Sequence, residues 1–358
     1  MSDDVAWVFP AFGHSVNDEG GDFGHPSHRG FQRAIEAEPV LFPDADFSPV
    51  AGTFLEPYLA ARKLDILQYD TFVLENADAV YATPFIRDQY PDATILLLAA
   101  HRMFGLESYD FSDDDFPTSI LRPAERYLDS KIVRRLIRKH VDGVLTISEF
   151  VSEYVSEFVG DTPRRTVYPY VQPEFASELD ALETDVDGCH AVTVCEARDH
   201  KGVDMLVRAW PSVRDRFPDA TLDVIGDGHP DRYGDVPGIS VRGFVEDLAD
   251  EYRRADLYVH PARADAFGVT VIEAMRAGTP AIVTDTTGSR DVVSEIADEL
   301  SVEPSENSLS QGICWYFERS VGNRRELAER AKRASTSFTE GEQLDCFGEK
   351  YDNLTTVI

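Results

Sequence analysis

Lysine is scarce in this chain, with six residues at positions 63, 131, 139, 201, 332 and 350 among 358. Lysine and arginine together number 34 against 65 acidic residues, a formal net charge of −31. A field of that sign excludes a nucleic-acid binder and opposes general adhesion to anionic membranes. The carboxylates are scattered along the chain rather than gathered in a tail. Their mutual repulsion is tolerable where salt screens it, since the Debye length falls to about 3 Å near 1 M. The composition therefore points to a salt-accumulating, halophilic host. Cysteine is also sparse: Cys189, Cys195, Cys314 and Cys346 form no Cys-x2-Cys pair and neighbour no histidine at zinc spacing. That pattern excludes a zinc module and leaves the thiols reduced and structural. No apolar run approaches the roughly 20 residues of a membrane span, and the start, Met-Ser-Asp-Asp, lacks the basic and apolar regions of a signal peptide. The expectation is a cytoplasmic protein.

What the chain does have is length and alternation. At 358 residues, 43% of them hydrophobic, it is long enough for two domains with separate cores. Val5–Phe9 reads as a first strand, followed by a glycine-rich loop at 17–24 and a helix over about 27–38. Residues 40–70 carry several prolines and no firm pattern. Asp78–Ala82 and Thr94–Ala99 read as buried strands, with His101 directly after the second. Asp113–Asp115, in a proline-flanked polar loop, reads as solvated rather than metal-binding. Leu128–Val141 is the one concentrated basic stretch, with Leu128, Ile132, Leu136 and Ile137 at helical spacing. Val144–Ile147 is a strand, and a helix follows over Phe150–Val159. Beyond 169 the alternation is regular: strands near 191–195, 221–225, 239–242, 257–259 and 281–283 with helices between them, the pattern of a parallel sheet covered on both faces.

The densest information lies in 256–291. Leu257–Val259 is a buried strand, Val269–Arg276 a helix and Ala281–Val283 a further strand. Asp265 lies in the first loop and Glu273 on the helix, while Phe267-Gly268 marks the helix entrance, where backbone N–H groups are free to meet an anion. Two carboxylates and an anion-binding terminus thus share one strand end.

The run Asp265-x-Phe267-Gly268-x4-Glu273-Ala-Met-x-Ala-Gly-Thr-Pro280 resembles the Glu-x7-Glu signature of family 4 (group 1) retaining glycosyltransferases, with Asp265 in place of the family's first Glu. The resemblance implies the GT-B fold, α/β, with two Rossmann-like parallel-sheet domains facing across a cleft. It places an acceptor-side domain at 1–168, a nucleotide-sugar domain at 169–336 and a helix at 337–358 that returns to the first domain. Pro169–Pro173 is the expected hinge.

In the same resemblance Lys201, in His-Lys-Gly, contacts the diphosphate of the donor. The family's partner arginine falls where this chain has Cys195-Glu196, so Arg198 is the candidate replacement. Glu273 binds ribose hydroxyls, and Asp265 attends the donor sugar with Phe267, Gly268 and Val269. Gly226 belongs to a Gly-x-Gly turn, and Phe244 and Val245 lie on the loop that meets the base. His101 reaches the donor sugar, and the loop with Gly20 and Gly21 borders the acceptor. In 287–291, Ser289 and Asp291 replace a family Gly and Glu.

The expected activity is transfer of a hexose from a nucleotide diphosphate sugar to a hydroxyl acceptor, with retention and with neither metal nor cofactor. The basic helix at 128–141 suits a phosphate-bearing acceptor or peripheral contact with lipid headgroups. Two alternatives remain: a non-catalytic sugar-nucleotide-binding scaffold, motivated by Asp265 and Glu196, and another GT-B activity such as an epimerase or phosphorylase.

Overall fold

The computed structural model describes residues 4–9, 25–41, 55–64, 69–100 and 122–358, for 56 and 122–126 the backbone alone. His101, Gly20, Gly21 and the Asp113–Asp115 run lie outside the described residues. Two compact units result: one is built from the described residues up to Tyr168 together with Gln343–Ile358, the other from Pro169–Glu342.

The first unit is a six-stranded sheet of order β2-β1-β3-β4-β5-β6, formed by β1 (Val5–Phe9), β2 (Glu38–Leu41), β3 (Thr71–Glu75), β4 (Thr94–Ala99), β5 (Gly143–Thr146) and β6 (Arg164–Thr166). Every pairing is parallel. β1 and β3 are buried along their whole length, as strands covered on both faces must be. The final helix, Glu340–Val357, buries Gln343, Phe347, Tyr351 and Leu354, one stripe at helical spacing. Phe347 stacks on Phe31 with ring centroids 4.5 Å apart and planes 9° from parallel. Gly143 leaves room for the helix end, since a Cβ there would lie 2.8 Å from Ile358 Cδ1.

Three expectations need correction here. Asp78–Ala82 is not a strand: Asn76–Ala79 and Val80–Ala82 are helical turns, and the strand lies earlier, at Thr71–Glu75. Thr-Phe-Val-Leu has the β-branched and aromatic character that a pleated sheet packs well, whereas the apolar residues after Asp78 are buried from a helical turn. The first helix ends at Ala34 rather than running to residue 38, because Glu36 adopts φ 52° and the chain turns into β2. The basic helix begins earlier than expected, at Arg122, and ends at His140.

The second unit is again six-stranded and parallel, of order β12-β11-β10-β7-β8-β9. Its strands are β7 (His190–Val194), β8 (Thr221–Ile225), β9 (Ile239–Gly243), β10 (Leu257–His260), β11 (Ala281–Thr284) and β12 (Ser301–Val302). The buried acidic side chains among the described residues are Glu75, Asp223, Glu251 and Asp256. The other described carboxylates are partly or fully exposed and repel one another. Raising KCl from about 0.1 M to 2 M, which shortens the Debye length from roughly 10 Å to under 3 Å, is therefore expected to raise the thermal unfolding midpoint by several degrees. Circular dichroism melts test this, and a flat or falling midpoint would refute it.

Candidate active site

The second unit starts in the middle of its sheet. From β7 the chain adds β8 and β9 on one side, then returns to place β10 on the other side of β7. The loops leaving β7 and β10 consequently diverge from adjacent strand ends, the topological switch point at which open parallel sheets bind ligands.

Backbone contacts hold those loops together. After β7, a short turn at Asp199–Lys201 leads to Gly202, φ 67°, which precedes the helix Val203–Arg216. A Cβ on Gly202 would lie 2.0 Å from Pro261 O, so only glycine permits the β7 loop to approach the β10 loop this closely. Arg263 N donates to His200 O at 2.8 Å, and the Arg263 guanidinium bridges Asp199 O and the Asp204 carboxylate, each at 2.6 Å. The loop after β11 is joined in turn: Asp265 N donates to Thr286 O (3.0 Å) and Gly288 N to Asp265 O (2.9 Å).

This lattice brings the side chains of Lys201 and Asp265 together. Lys201 Nζ donates to Asp265 Oδ2 at 2.6 Å, and His260 Nε2 lies 2.9 Å from the same oxygen. The Phe267 amide donates to Oδ1 at 3.2 Å. Burial opposes ionisation of Asp265, but the Lys201 charge and the His260 contact outweigh it and hold the carboxyl well below the usual range. Burial likewise opposes the Lys201 ammonium, and Asp265 overcomes it, raising the lysine. With Asp265 ionised, the hydrogen shared with His260 lies on Nε2. Tyr258, whose hydroxyl donates to Thr270 Oγ1 at 2.7 Å, stands 3.3 Å from His260 Nδ1.

Gly268, φ 79°, caps the helix Val269–Ala277 with no side-chain acceptor, and of the first turn Val271 N donates to Gly268 O at 3.0 Å. A Cβ at Gly268 would press on His260 Nε2 at 3.2 Å, so glycine serves both the turn and the histidine. Glu273 sits on the helix's second turn and accepts from Tyr252 Oη at 3.1 Å. Burial pushes its carboxyl up to about 7, the tyrosine hydrogen bond recovering only part of the cost.

The remaining described candidates lie on loops of the same unit. Gly226 N donates to Gly243 O at 2.8 Å, so the turns after β8 and β9 are tied, and Phe244 beyond them is 76% exposed, with Val245 half-buried. Arg198 does not join the Asp265 cluster: its Nε donates to Glu196 Oε2 at 3.0 Å. Its charge nonetheless bears on Lys201. Phe267 is buried against Phe338, ring centroids 5.7 Å apart, with its amide already given to Asp265. Burial raises the Cys195 thiol to about 12, which makes it inert rather than nucleophilic.

Residues 189–319, which hold all of these strand-end side chains, match the family description of glycosyl transferases group 1. Over this segment the chain is similar to the group 1 glycosyltransferases. The chain is 31% identical over 141 residues to a phosphatidyl-myo-inositol mannosyltransferase from Mycobacterium tuberculosis, covering 36% of this chain and 37% of that protein. It is 35% identical over 103 residues to mannosylfructose-phosphate synthase from Agrobacterium fabrum, covering 24% of this chain and 23% of that one. The chain thus spans little more than a third of the length of the first of these relatives and about a quarter of the second. In structure the likeness is longer. Sucrose-phosphate synthase from Thermosynechococcus elongatus matches 99% of this chain and 100% of its own with a TM-score of 0.70 at 18% identity. HepE from Anabaena, in complex with UDP and glucose, matches 99% and 100% with a TM-score of 0.59 at 15% identity. At such identities the shared property is the fold, GT-B with its two six-stranded parallel sheets.

Sequence reasoning missed His260, Tyr252 and Tyr258. The signal for His260 was a histidine closing an otherwise apolar strand five residues before Asp265; the two tyrosines read as core. Two outcomes follow from the electrostatics. Replacing Lys201 by Ala strands the Asp265 carboxylate and is expected to cost about 3 kcal/mol at pH 7. Because the Asp265 pKa is depressed in the fold, that cost closes as pH falls below about 4, as denaturant titrations of both proteins would show. The Glu273 pKa is raised, so its neutral form stabilises the fold below about pH 4.5 and that benefit is lost as pH rises towards 7. Glu273→Gln should therefore gain stability over the parent progressively between those values, by up to about 3 kcal/mol, and level off above them. A pH-independent difference would contradict the assignment.

Proposed function

We propose that this protein transfers a hexose from a nucleotide diphosphate sugar to a hydroxyl acceptor, with retention at the anomeric carbon and without a metal ion. The observation that carries the reading is the Lys201–Asp265 pair, 2.6 Å apart beside the uncapped N-terminus of Val269–Ala277 at a parallel-sheet switch point. A leaving diphosphate needs positive charge positioned in advance. Lys201 and the helix terminus provide it, and the Asp265 carboxylate occupies Lys201 until an anion shares it. Asp265, oriented by His260, then accepts hydroxyls of the donor sugar, and Glu273 accepts the ribose diol. Phe244 offers an exposed ring to the base. In the transfer the anomeric C–O bond to the diphosphate breaks, the acceptor oxygen bonds on the same face, and its proton passes to the departing phosphate oxygen.

UDP is the favoured nucleotide, since HepE, of the same fold, is described with UDP and glucose. A phosphate-bearing or lipid-linked acceptor is consistent with the helix Arg122–His140, where Tyr127 is 66% and Leu128 48% exposed and Lys131 lies 5.1 Å from the Tyr127 ring centroid. Among the described residues no helix is long and apolar enough to cross a membrane; we read such contact as peripheral, at the cytoplasmic face.

Purified protein in high-salt buffer with EDTA, offered UDP-, GDP- and ADP-sugars, is expected to release nucleotide from one donor. Lys201→Ala and Glu273→Ala are each expected to lose on the order of a hundredfold in that rate. Binding without release in the presence of polyol and lipid-phosphate acceptors would favour a non-catalytic scaffold, a reading that Arg198's engagement with Glu196 leaves standing. Failure to bind any donor would refute both.

A further inference from the structure

The first unit holds a cluster of positive charge that sugar transfer leaves unused. It lies away from that unit's own switch point, the carboxyl ends of β1 and β3, where Glu75 accepts from Trp7 Nε1 at 2.8 Å and meets His28 Nδ1 at 2.9 Å. A cavity of about 600 Å³ runs beside the edge strand β6, from Gly160 in the preceding loop to Thr166 at the strand's end. That volume is within the roughly 300–1,000 Å³ of small-molecule pockets. All of its lining belongs to the first unit.

Arg164, Arg165 and Lys350 line the cavity, each half-buried. Successive strand residues face opposite ways, and two adjacent arginines reach one cavity because β6 is the edge. Each cation is anchored on backbone: Arg164 Nη1 donates to Gly160 O at 3.0 Å, Arg165 Nη1 to Arg164 O at 2.8 Å, and Lys350 Nζ to Thr166 O. Among the described residues no carboxylate forms an ion pair with any of the three, in a chain with 65 acidic residues against 34 basic ones. Arg87, Arg263 and Arg276, by contrast, each meet an aspartate. A guanidinium carries five N–H donors and an ammonium three, so one carbonyl apiece leaves most of them open. Ser152, half-buried on the helix Glu149–Val159, adds a hydroxyl to the same lining. The two acids of the lining, Glu149 and Asp161, are exposed. Solvent and salt screen them more than the half-buried cations, so the cations set the field inside the cavity.

Two guanidinium forks and an ammonium match the oxygens of a phosphoryl group, while the acids at the rim oppose the added charge of a polyphosphate. We propose that Arg164, Arg165, Lys350 and Ser152 bind a single phosphoryl dianion, either inorganic phosphate or a small water-soluble phosphate monoester, along the edge of the first sheet. Lys350 comes from the final helix and the arginines from β6, so the bound anion joins the two elements and stabilises the fold by mass action.

The test is isothermal titration calorimetry of the full chain at constant high ionic strength, with potassium phosphate, glycerol 1-phosphate and, as a monoanion control, potassium nitrate. Saturable binding of at least one phosphate and none of nitrate is expected, and the tighter of the two phosphates identifies the ligand's source. The double variant Arg164→Gln/Lys350→Gln should keep its far-ultraviolet dichroism and bind about tenfold more weakly, roughly 1.4 kcal/mol. Asp161→Asn removes one exposed repulsive charge and should tighten binding about threefold, a gain that misfolding cannot imitate. The melting midpoint should rise with phosphate more steeply in the parent than in the double variant, since the general salting effect of phosphate is common to both. Lys201→Ala, in the other unit, should leave the titration unchanged. No saturable binding to the parent, equal affinity in the double variant, or no gain in Asp161→Asn would overturn the proposal. Loss of phosphate binding in Lys201→Ala alone would also overturn it, by assigning the anion to the second unit.

Discussion

Everything that gives the second unit chemical potential depends on the Lys201–Asp265 ion pair, and the pair depends on close backbone approach. Two charges half-removed from water are unfavourable unless their partners are fixed in advance. Gly202 lets the β7 loop come within van der Waals reach of Pro261, Arg263 bolts the two loops together, and the Asp265 backbone is bonded to the loop after β11. Three strand ends thus converge on one carboxylate. The arrangement leaves a cation already desolvated and aimed, a favourable starting point for meeting a diphosphate because little reorganisation remains.

The sequence exposed this site to the extent that its logic is local. Asp265, Phe267, Gly268 and Glu273 lie within one loop and helix, and their spacing alone places them at a helix entrance. Lys201 stood out through the family resemblance of His-Lys-Gly, with the rarity of lysine as support. His260 and Tyr252 were not legible, since each acts through a contact across the fold: His260 from the preceding strand, Tyr252 from a helix twenty-one residues before Glu273. The substitution of Asp for Glu at 265 was visible, but not its consequence, that the shorter side chain is met by both a lysine and a histidine. Among strands, continuous apolar runs such as Thr94–Ala99 were readable, whereas β2 and β3 were misplaced or missed. β2 is an exposed edge strand carrying Glu38 and Pro39, so it has little burial to advertise. In the segment 71–82, two apolar stretches compete for one strand, and the left-handed Asn76 that divides them cannot be inferred from periodicity.

Both units place a carboxylate on a histidine at the switch point, Asp265 with His260 in one and Glu75 with His28 in the other. The chemistry differs through the third partner. Asp265 has an ammonium, so its surroundings carry a positive charge that an anion can claim. Glu75 has the neutral indole N–H of Trp7, and among the described residues no ammonium donates to it. In Asp265 the histidine offers its Nε2 to the carboxylate and turns Nδ1 towards Tyr258; in Glu75 the roles of the two nitrogens are exchanged, and Nε2 is the one left over.

A protein with a formal charge of −31 would bind a nucleotide diphosphate, itself anionic, against its own long-range field. In dilute salt that field extends over roughly 10 Å and slows encounter, while near 1 M it collapses to about 3 Å. The Lys201–Asp265 contact at 2.6 Å lies inside either length. Salt therefore removes the repulsion from the distant carboxylates without screening the lysine that, on the proposed reading, would meet a phosphate at contact distance. An acidic surface and an anionic substrate are compatible when recognition is confined to a few partly buried groups, and a chain with six lysines can place the one that matters where its neighbours already hold it.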